Sequence, residues 1–495
     1  MTSLGSKAKL SVLWNTGFNL FRDGLQFFVM LVLVRMISPS TYGIFALVTS
    51  VMTFIHVFSF NTFIQHVLQV REDSKINYQN HFTFGFFIQL FLFFVTNIIA
   101  FLLYLFDFYS VISLYLHVLS FVFFFELFSE LYRMQLQREL DWKRMRILHG
   151  IGLLIGAILS LVIAYNGGGI YALILPGFFA NIPFIYEVLI TKKFRPTWYW
   201  NYKEYKETLN FSAKRILSGL TTTGKPLLEN SFFVSSLSFT ELGFYNRAIG
   251  LATILVQKFS MQLTFAIYPV LTKVKPFTSQ FKRISGLIIQ FTSWFIIPLA
   301  YIVLVLNENL VIVLYGDNWL DVIPYLGLAA IIMALIATKH VIYSLLLSSH
   351  QEKICSFFDV IFLILSILAL FLVLPLGIMN YLYAQITLLF FSVLFLIIVS
   401  VLKQIIEIKD VYKSVFPPLL GILISHITCK VIYDISNFVN YPILDLLVNG
   451  ISLITVYVIV LRLLFKKDLI SIINYLPFKK ILMKILLITN DSSFK

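Results

Sequence analysis

The sequence carries very little charge for its length. Charged residues make up 13% of the 495 positions and hydrophobic residues make up 59%, whereas soluble domains usually carry charge on about a quarter of their residues. A chain of this composition cannot cover itself with a surface that water would solvate. Its surroundings are therefore predicted to be lipid, and no large soluble domain is expected.

Residues that build common catalytic and metal sites are also scarce. The two cysteines, Cys355 and Cys429, lie in apolar surroundings, and the eight histidines do not have the spacing of zinc ligands. Neither a glycine-rich phosphate loop nor a nucleophile elbow occurs. The sequence therefore predicts unpaired packing cysteines, no metal, no cofactor and no catalytic residue, and the protein is not expected to be an enzyme.

Apolar segments that are long enough to cross the roughly 30 Å hydrocarbon layer recur along the chain. They predict an all-α membrane protein with about fourteen transmembrane helices. The polar character of the first, seventh, eighth and tenth segments is expected to make a hydropathy window miss or split them. The predicted spans are residues 12–36, 42–68, 82–106, 109–132, 147–165, 169–191, 208–236, 240–270, 284–306, 320–348, 354–374, 378–402, 414–433 and 442–464.

Lysine and arginine are unevenly distributed among the predicted loops. With the N-terminus placed in the cytoplasm, the cytoplasmic segments contain most of the 38 lysine and arginine residues, whereas the opposite loops contain only Arg35. Positive loops stay on the cytoplasmic side during insertion, so this bias predicts that both termini are cytoplasmic. Topology thus explains the net charge of +14, and no nucleic-acid partner is expected.

Two segments of the chain resemble each other and predict an internal repeat. RMISPSTYGIFAL (35–47) matches SSLSFTELGFYNR (235–247), with Gly43 corresponding to Gly243 at an offset of 200 residues. Six helices per copy give both copies the same orientation, which is a recurring plan among transporters. The predicted organisation is therefore an N-terminal six-helix lobe (1–203), a C-terminal six-helix lobe (204–402), and a final helix pair with a cytoplasmic tail (403–495).

Several cations fall inside the predicted spans. A cation at mid-depth of a bilayer costs about 2.5–3.5 kcal/mol on insertion scales, so such residues normally face a wet cavity or a partner, or extend toward the membrane surface. The second explanation is favoured for residues near the cytoplasmic ends of their helices. The cations within spans are Arg22, Lys214, Arg215, Lys225, Arg247, Lys258, Lys339 and Lys430.

Two polar stripes at helical spacing single out the first and seventh spans. They place Arg22 and Lys225 at similar depth in corresponding helices of the repeat, where two cations would attract an anion such as a pyrophosphate. We therefore take Arg22, Lys225, Arg247 and Lys339 as candidate substrate-binding residues. The acids beside the first two are either structural ion-pair partners or ion-coupling residues. The stripes consist of Asn15, Asn19, Arg22 and Gln26, with Asp23 adjacent, and of Lys214, Ser218, Thr221, Lys225 and Glu229.

Six short segments occur in an order that is typical of one family. They are RMISPSTYGIFALV (35–48), LQRELDWKR (136–144), GGGIYALI (167–174), LGFYNRA (242–248), YPVLTKV (268–274) and LYGDNW (314–319). On these segments the chain resembles the oligosaccharide flippases of bacterial polysaccharide export, in the multidrug/oligosaccharidyl-lipid/polysaccharide superfamily. Members often carry an aspartate near the middle of the seventh span, where this chain has Glu229.

The resemblance implies a two-lobed fold with a central cationic cavity and alternating access. It implies a substrate that is an oligosaccharide on a polyprenyl diphosphate, moved from the cytoplasmic to the outer leaflet of the bacterial inner membrane during synthesis of O-antigen, capsule or exopolysaccharide. The implied partners are membrane lipids, with a polysaccharide polymerase and glycosyltransferases as further candidates.

Two other functions remain open for such a chain. An ion-coupled multidrug exporter of the same superfamily would need acidic cavity residues, whereas cations outnumber acids in the predicted spans. A membrane polysaccharide polymerase or ligase would need a long external loop with reactive residues, and the predicted external loops are short.

The charge bias of the loops gives a test of topology. Cysteines introduced at Asn166 and Asn309 are expected to react with a membrane-impermeant thiol reagent in intact cells, because both positions lie in predicted external loops. Cysteines at Ser74 and Tyr199 are expected to react only after the cells are opened. Labelling of the second pair in intact cells would reverse the predicted orientation.

Overall fold

The structure is a computed structural model that describes residues 4–68, 78–106, 110–191, 197–258, 271, 273–436 and 441–473. These residues contain helices and no strands. The chain divides into two compact units, Met1–Gly243 and Phe244–Lys495. This division reflects only which residues contact each other. It does not test the lobe boundaries expected at residues 203 and 402, which stay predictions.

The described residues of the first unit form eleven complete α-helices. Helix α1 packs against α7, α2 against α11, and α4 against α5 and α6. Their bounds are α1 Leu4–Met36, α2 Pro39–His56, α3 Phe60–Ile64, α4 Tyr78–Leu105, α5 Ser110–Ser120, α6 Val122–Arg138, α7 Trp142–Tyr165, α8 Tyr171–Ile174, α9 Pro176–Phe179, α10 Ile182–Thr191 and α11 Tyr202–Ser236.

The remaining helices, apart from the first turn of α12, belong to the second unit. Helix α13 packs against α15 and α18, α15 also packs against α17, and α18 packs against α19. Their bounds are α12 Phe239–Ala252, which continues into a π-helical turn at Thr253–Gln257, α13 Ser279–Val305, α14 Asn307–Leu314, α15 Ile323–Ser348, α16 Glu352–Val373, α17 Ile378–Leu402, α18 Ile408–Ser436, α19 Pro442–Leu464 and α20 Lys466–Ile473.

Long apolar helices confirm a multi-pass membrane protein. Among the described residues, 11 helices are long and apolar enough to cross a bilayer, or up to 12 if the bent pair Pro39–His56 and Phe60–Val67 is one span. The seventh and eighth predicted spans do not pass this test, as expected from their polar residues, whereas the first and tenth do. The eighth span also extends into 259–270, which lies outside the described residues. The count of fourteen therefore stays a prediction.

Some helix ends differ from the sequence-based expectation. The hydrophilic segment 133–146 is mostly helical, because α6 continues to Arg138 and α7 begins at Trp142. Asp141 caps α7 by accepting a hydrogen bond from the Arg144 N–H at 3.1 Å. The glycine run between α7 and α8 forms a turn, with positive φ at Gly167 and Gly169.

The two segments that predict the repeat meet each other in the first unit. A Cβ added to Gly43 would overlap the Phe239 carbonyl, and one added to Gly243 would overlap the Pro39 carbonyl. The backbones can approach this closely only because both positions lack a side chain. The helices also begin alike, since the hydroxyls of Ser38 and Ser238 accept the N–H of the residue three positions later.

Prolines inside α13 and α18 are accommodated by side chains of neighbouring helices. Pro298 lacks the N–H that would bond the Trp294 carbonyl one turn earlier; the Tyr457 hydroxyl of α19 donates to that carbonyl instead, at 2.8 Å. Pro417 likewise leaves the Lys413 carbonyl without its helical donor, and the Trp294 indole N–H bonds it at 2.8 Å. The carbonyls that Pro298 and Pro417 release are thus each used to join two helices.

This arrangement makes a prediction about stability. Tyr457→Phe should lower the free energy of unfolding by about 1–3 kcal/mol, the cost of leaving the buried Trp294 carbonyl without a donor. In a Pro298→Ala background the same substitution should cost much less, because the alanine N–H can bond that carbonyl. Thermal unfolding of the four variants in detergent measures the coupling, with the exposed Tyr383→Phe as control. Equal costs in both backgrounds would contradict this account.

Candidate functional site

Helix α11 presents a polar face that the protein leaves uncovered. Lys214, Ser218 and Thr221 are exposed, and Lys225 and Glu229 are half-buried. The spacing of these residues places them on one side of the helix. In a protein surrounded by lipid, cations and hydroxyls on one such face are expected to meet water. The polar stripe predicted for the seventh span is therefore a real surface feature of the fold.

Contacts with α2 hold α11 in place around Lys225. The Asn230 side-chain amide donates to the Ala46 carbonyl at 3.3 Å, and a Cβ added to Gly219 would crowd the Val57 side chain. Lys225 and Glu229 both have interaction partners in the structure. Their roles in substrate binding and ion coupling stay predictions.

Arg22 on α1 forms an ion pair with the adjacent Asp23. Its Nη2 lies 2.9 Å and its Nε 3.0 Å from the same carboxylate oxygen, and both side chains remain partly exposed, at 34% and 22%. Asp23 therefore offsets much of the Arg22 charge. A positively charged site around Arg22 needs a further cation.

That further cation comes from α7, which packs against α1. The Arg146 guanidinium lies 4.9 Å from the centroid of the Phe18 ring, and the His149 ring lies 5.0 Å from it. Arg22 is within electrostatic range of both Arg146 and His149. Two helices of the first unit thus bring Arg22, Arg146 and His149 together, in a group that we call the Arg22 cluster.

Arg146 is not among the predicted site residues, because the predicted spans leave it in a cytoplasmic loop. The available signal was Asp141, whose position before an apolar run is typical of a helix N-cap. A helix that starts at Trp142 includes Arg146 and His149 in its first two turns. Span boundaries set by hydropathy alone begin too late at such an end, since the first turn of a membrane helix is often polar.

Arg133 on α6 is held in place by contacts with other residues of the first unit. Its Nη1 lies 2.5 Å from Glu130, its Nη2 donates to the Asn181 side-chain oxygen at 3.0 Å, and its guanidinium lies 4.5 Å from the centroid of the Phe184 ring. Glu126, one turn before Glu130, lies 3.5 Å from the His56 Nε2. These contacts give the two glutamates a role in packing α6 within the first unit.

The remaining candidates, Arg247 and Lys339, lie in the second unit. The Arg247 side chain is half-buried, and its carbonyl accepts a hydrogen bond from the Tyr315 hydroxyl at 3.2 Å. Lys339 Nζ lies 3.6 Å from Asp359 and 4.0 Å from the centroid of the Phe362 ring. The contacts of Lys339 are those of a structural cation, and the assignment of both residues to substrate binding stays a prediction.

Helices α1 and α11 have different neighbours in the first unit. Helix α1 packs on α7, whereas α11 packs on α2 and α3. The structure therefore shows two polar regions, the Arg22 cluster and the α11 stripe. That Arg22 and Lys225 bind one anion together stays a prediction. In the part of the chain that is described, no group of three or more His, Cys, Asp or Glu residues could hold a metal ion.

Comparison with protein families and curated proteins gives two findings. A family model described as polysaccharide biosynthesis protein matches residues 32–324. An uncharacterized membrane protein in the cps region of Klebsiella pneumoniae is 21% identical over 373 residues, which cover 74% of this chain and 77% of that protein.

Solved structures give the fold. The lipid II flippase MurJ in an inward closed conformation superposes with a TM-score of 0.72 over 93% of this chain and 100% of that chain, at 13% sequence identity. At this identity the similarity establishes the fold alone. The MATE multidrug transporter DinF-BH gives a TM-score of 0.49 over 80% of this chain and 96% of that chain, at 16% identity, which is too low to carry an argument.

Substitutions in the two polar regions test their roles. Arg22→Ala and Lys225→Ala should each reduce surface polysaccharide at unchanged protein level in the membrane, since a hydrogen bond to a charged group is worth about 1.5–3 kcal/mol, or roughly 10- to 100-fold in binding. Arg22→Lys should retain part of the activity, because it keeps the charge. The exposed Lys430→Ala, on α18 of the second unit, is the control.

A double substitution separates a ligand from a structural pair. If Lys225 only neutralises Glu229, then Lys225→Ala combined with Glu229→Ala removes both charges and should restore activity. If Lys225 binds the substrate, the double variant should stay inactive while reaching the membrane in normal amount. A fully active double variant would remove Lys225 from the substrate site.

Proposed function

The chain belongs to the polysaccharide biosynthesis protein family, and we propose that it is a flippase for an oligosaccharide carried on a polyprenyl diphosphate. In this proposal the substrate moves from the cytoplasmic to the outer leaflet of a bacterial inner membrane, for assembly into a surface polysaccharide. The helical fold, which matches that of a lipid II flippase over 93% of the chain, supports the transport step.

The observation that carries the proposal is the uncovered polar face of α11. Lys214, Ser218 and Thr221 are exposed on a 35-residue helix of a protein whose other long helices are apolar. A purely structural membrane helix would hide or replace such residues, because each cation in hydrocarbon is costly. Sugars that cross the membrane need a polar surface of this kind. Their hydroxyl groups lose hydrogen bonds to water and must form hydrogen bonds to side chains instead.

The cations of the first unit are suited to bind the diphosphate of the substrate. Arg22, Arg146 and His149 are within electrostatic range of one another, and Lys225 lies on the α11 stripe. Guanidinium groups bind phosphate oxygens through paired N–H donors, and an ammonium adds a mobile point charge. We assign the diphosphate to these residues, with Asp23 and Glu229 as candidate carriers of a coupling ion.

The polyprenyl chain need not enter the polar region. Large apolar side chains are exposed on α4, α16, α17 and α19, as expected for lipid-facing helices. A substrate with one polar and one apolar end can therefore cross with its sugars in the protein and its hydrocarbon tail in the bilayer. Motion between states that open to either side would supply the alternating access.

Deleting the gene tests the class of substrate. Loss of the flippase should remove a surface polysaccharide and leave its lipid-linked repeat unit in the cytoplasmic leaflet, measured by lipid extraction from intact cells and from inverted vesicles. Wild-type protein should restore export, and the Arg22→Ala variant should not. Unchanged surface glycan with increased sensitivity to drugs would favour a multidrug exporter instead.

A further inference from the structure

A charged crevice in the second unit is lined by none of the residues assigned to transport. It has a volume of about 560 Å³ and opens where α13 and α18 begin, with α20 on one side. We call it the α13–α18 crevice. Its walls include Lys282, Arg283, Gln290, Glu407, Asp410 and Asp468.

Two long helices begin at this crevice. Helix α13 starts at Ser279 and has 27 residues, and α18 starts at Ile408 and has 29 residues. The free N–H groups of a first turn give each start a partial positive charge, equivalent to roughly half an elementary charge. One of these starts is capped, since the Thr278 hydroxyl accepts the Phe281 N–H at 3.2 Å. The two helix starts therefore contribute positive potential to the crevice.

Most carboxylates in the crevice are already matched by a lysine. Lys413 Nζ lies 2.6 Å from Asp468, and Lys409 Nζ lies 2.5 Å from Glu407. The hydrogen bond from Lys409 lowers the pKa of the Glu407 carboxyl from its ordinary value, so this pair stays charged near neutral pH. Asp410 accepts the Glu407 N–H at 3.1 Å.

Two cations on α13 form no ion pair with a carboxylate of the described residues. Lys282 Nζ donates to the side-chain oxygen of Gln404 at 3.2 Å, which is a neutral partner. Arg283 is exposed and forms no ion pair with any described residue. Both side chains line the crevice on the same helix that carries Gln290.

Gln290 supplies an independent sign of a ligand. Its side chain lines the crevice about two turns after Arg283, is 4% exposed, and has no hydrogen-bond partner for Nε2 among the described residues. A buried amide donor without a partner costs about 1–3 kcal/mol. A buried N–H donor, two cations and two helix starts all suit an acceptor with several oxygens.

We propose that the α13–α18 crevice binds a phosphate group. Arg283 and Lys282 would bind its outer oxygens, and the Gln290 Nε2 would donate to the oxygen that enters deepest. A metal cation fits less well, because two of the three carboxylates are paired with lysines and the Gln290 donor would repel it. The phosphate is either that of an anionic lipid headgroup or that of a soluble phosphorylated compound. The proposal does not depend on the transport function.

Thermal unfolding of the purified full-length protein in detergent tests the proposal. Two probes are titrated separately: dihexanoyl phosphatidylglycerol below its micelle concentration, and inorganic phosphate. Either probe should raise Tm in a saturable manner. A shift with phosphatidylglycerol alone identifies a lipid headgroup as the source, and a shift with inorganic phosphate identifies a soluble ligand.

Variants at two positions decide whether the probe that raises Tm binds in the crevice. Arg283→Gln and Gln290→Leu should each weaken binding of the effective probe roughly tenfold or more, the loss of one hydrogen bond to a charged group. Gln290→Leu should not lower Tm without probe, because Nε2 has no partner among the described residues. Arg283→Lys should recover part of the affinity, and the exposed Lys353→Gln should bind as the wild type does.

Two outcomes would overturn the proposal. One is a Tm that neither probe changes. The other is a shift that persists undiminished in Arg283→Gln and Gln290→Leu, which would place the anion elsewhere. Should either variant unfold early, Gln290→Glu provides a second measurement, since it keeps the size of the side chain and adds a charge that repels phosphate.

Discussion

Hydrocarbon offers no hydrogen-bond partner to a backbone amide or carbonyl, and this constraint shapes the whole structure. Among the described residues every regular element is a helix, in which each N–H after the first turn finds a carbonyl one turn away. Hydroxyl side chains join the same network, as when Thr49 donates to the Phe45 carbonyl at 2.7 Å and Thr292 to the Ile288 carbonyl at 2.8 Å. Polar side chains can therefore lie on apolar helices without leaving donors unpaired.

Because hydrocarbon offers no hydrogen-bond partner, backbone groups that are released where a helix is irregular form hydrogen bonds with neighbouring helices. Prolines in α13 and α18 release the carbonyls of Trp294 and Lys413, and side chains from adjacent helices bond both. Glycines at the α2–α12 contact allow two backbones to meet where side chains would collide. In each case a residue with unusual backbone chemistry fixes which helices are neighbours, a task that the hydrophobic effect does poorly when the solvent is itself apolar.

Composition and periodicity predicted much of this fold, and the limits have physical causes. The apolar runs were sufficient to predict a multi-pass helical protein, whereas the internal repeat expected from the segments around Gly43 and Gly243 stays a prediction. Hydropathy could not place the start of α7, because a polar first turn resembles a loop, and Arg146 was missed for that reason. Nor could it show that Lys339 is held by Asp359 and Phe362, since partners on another helix leave no local pattern.

The α2–α12 contact has a consequence for how such a chain could arise. Gly43 meets the segment that begins at Phe239, and Gly243 meets the equivalent segment that begins at Pro39. Reciprocal contacts of this kind are what a two-fold axis produces between identical subunits. A half-length ancestor with this glycine segment would have carried a self-complementary surface from the outset. Under such an origin, gene duplication and fusion would have required no new complementary sequence, because one polypeptide would have inherited both sides of a homodimer interface.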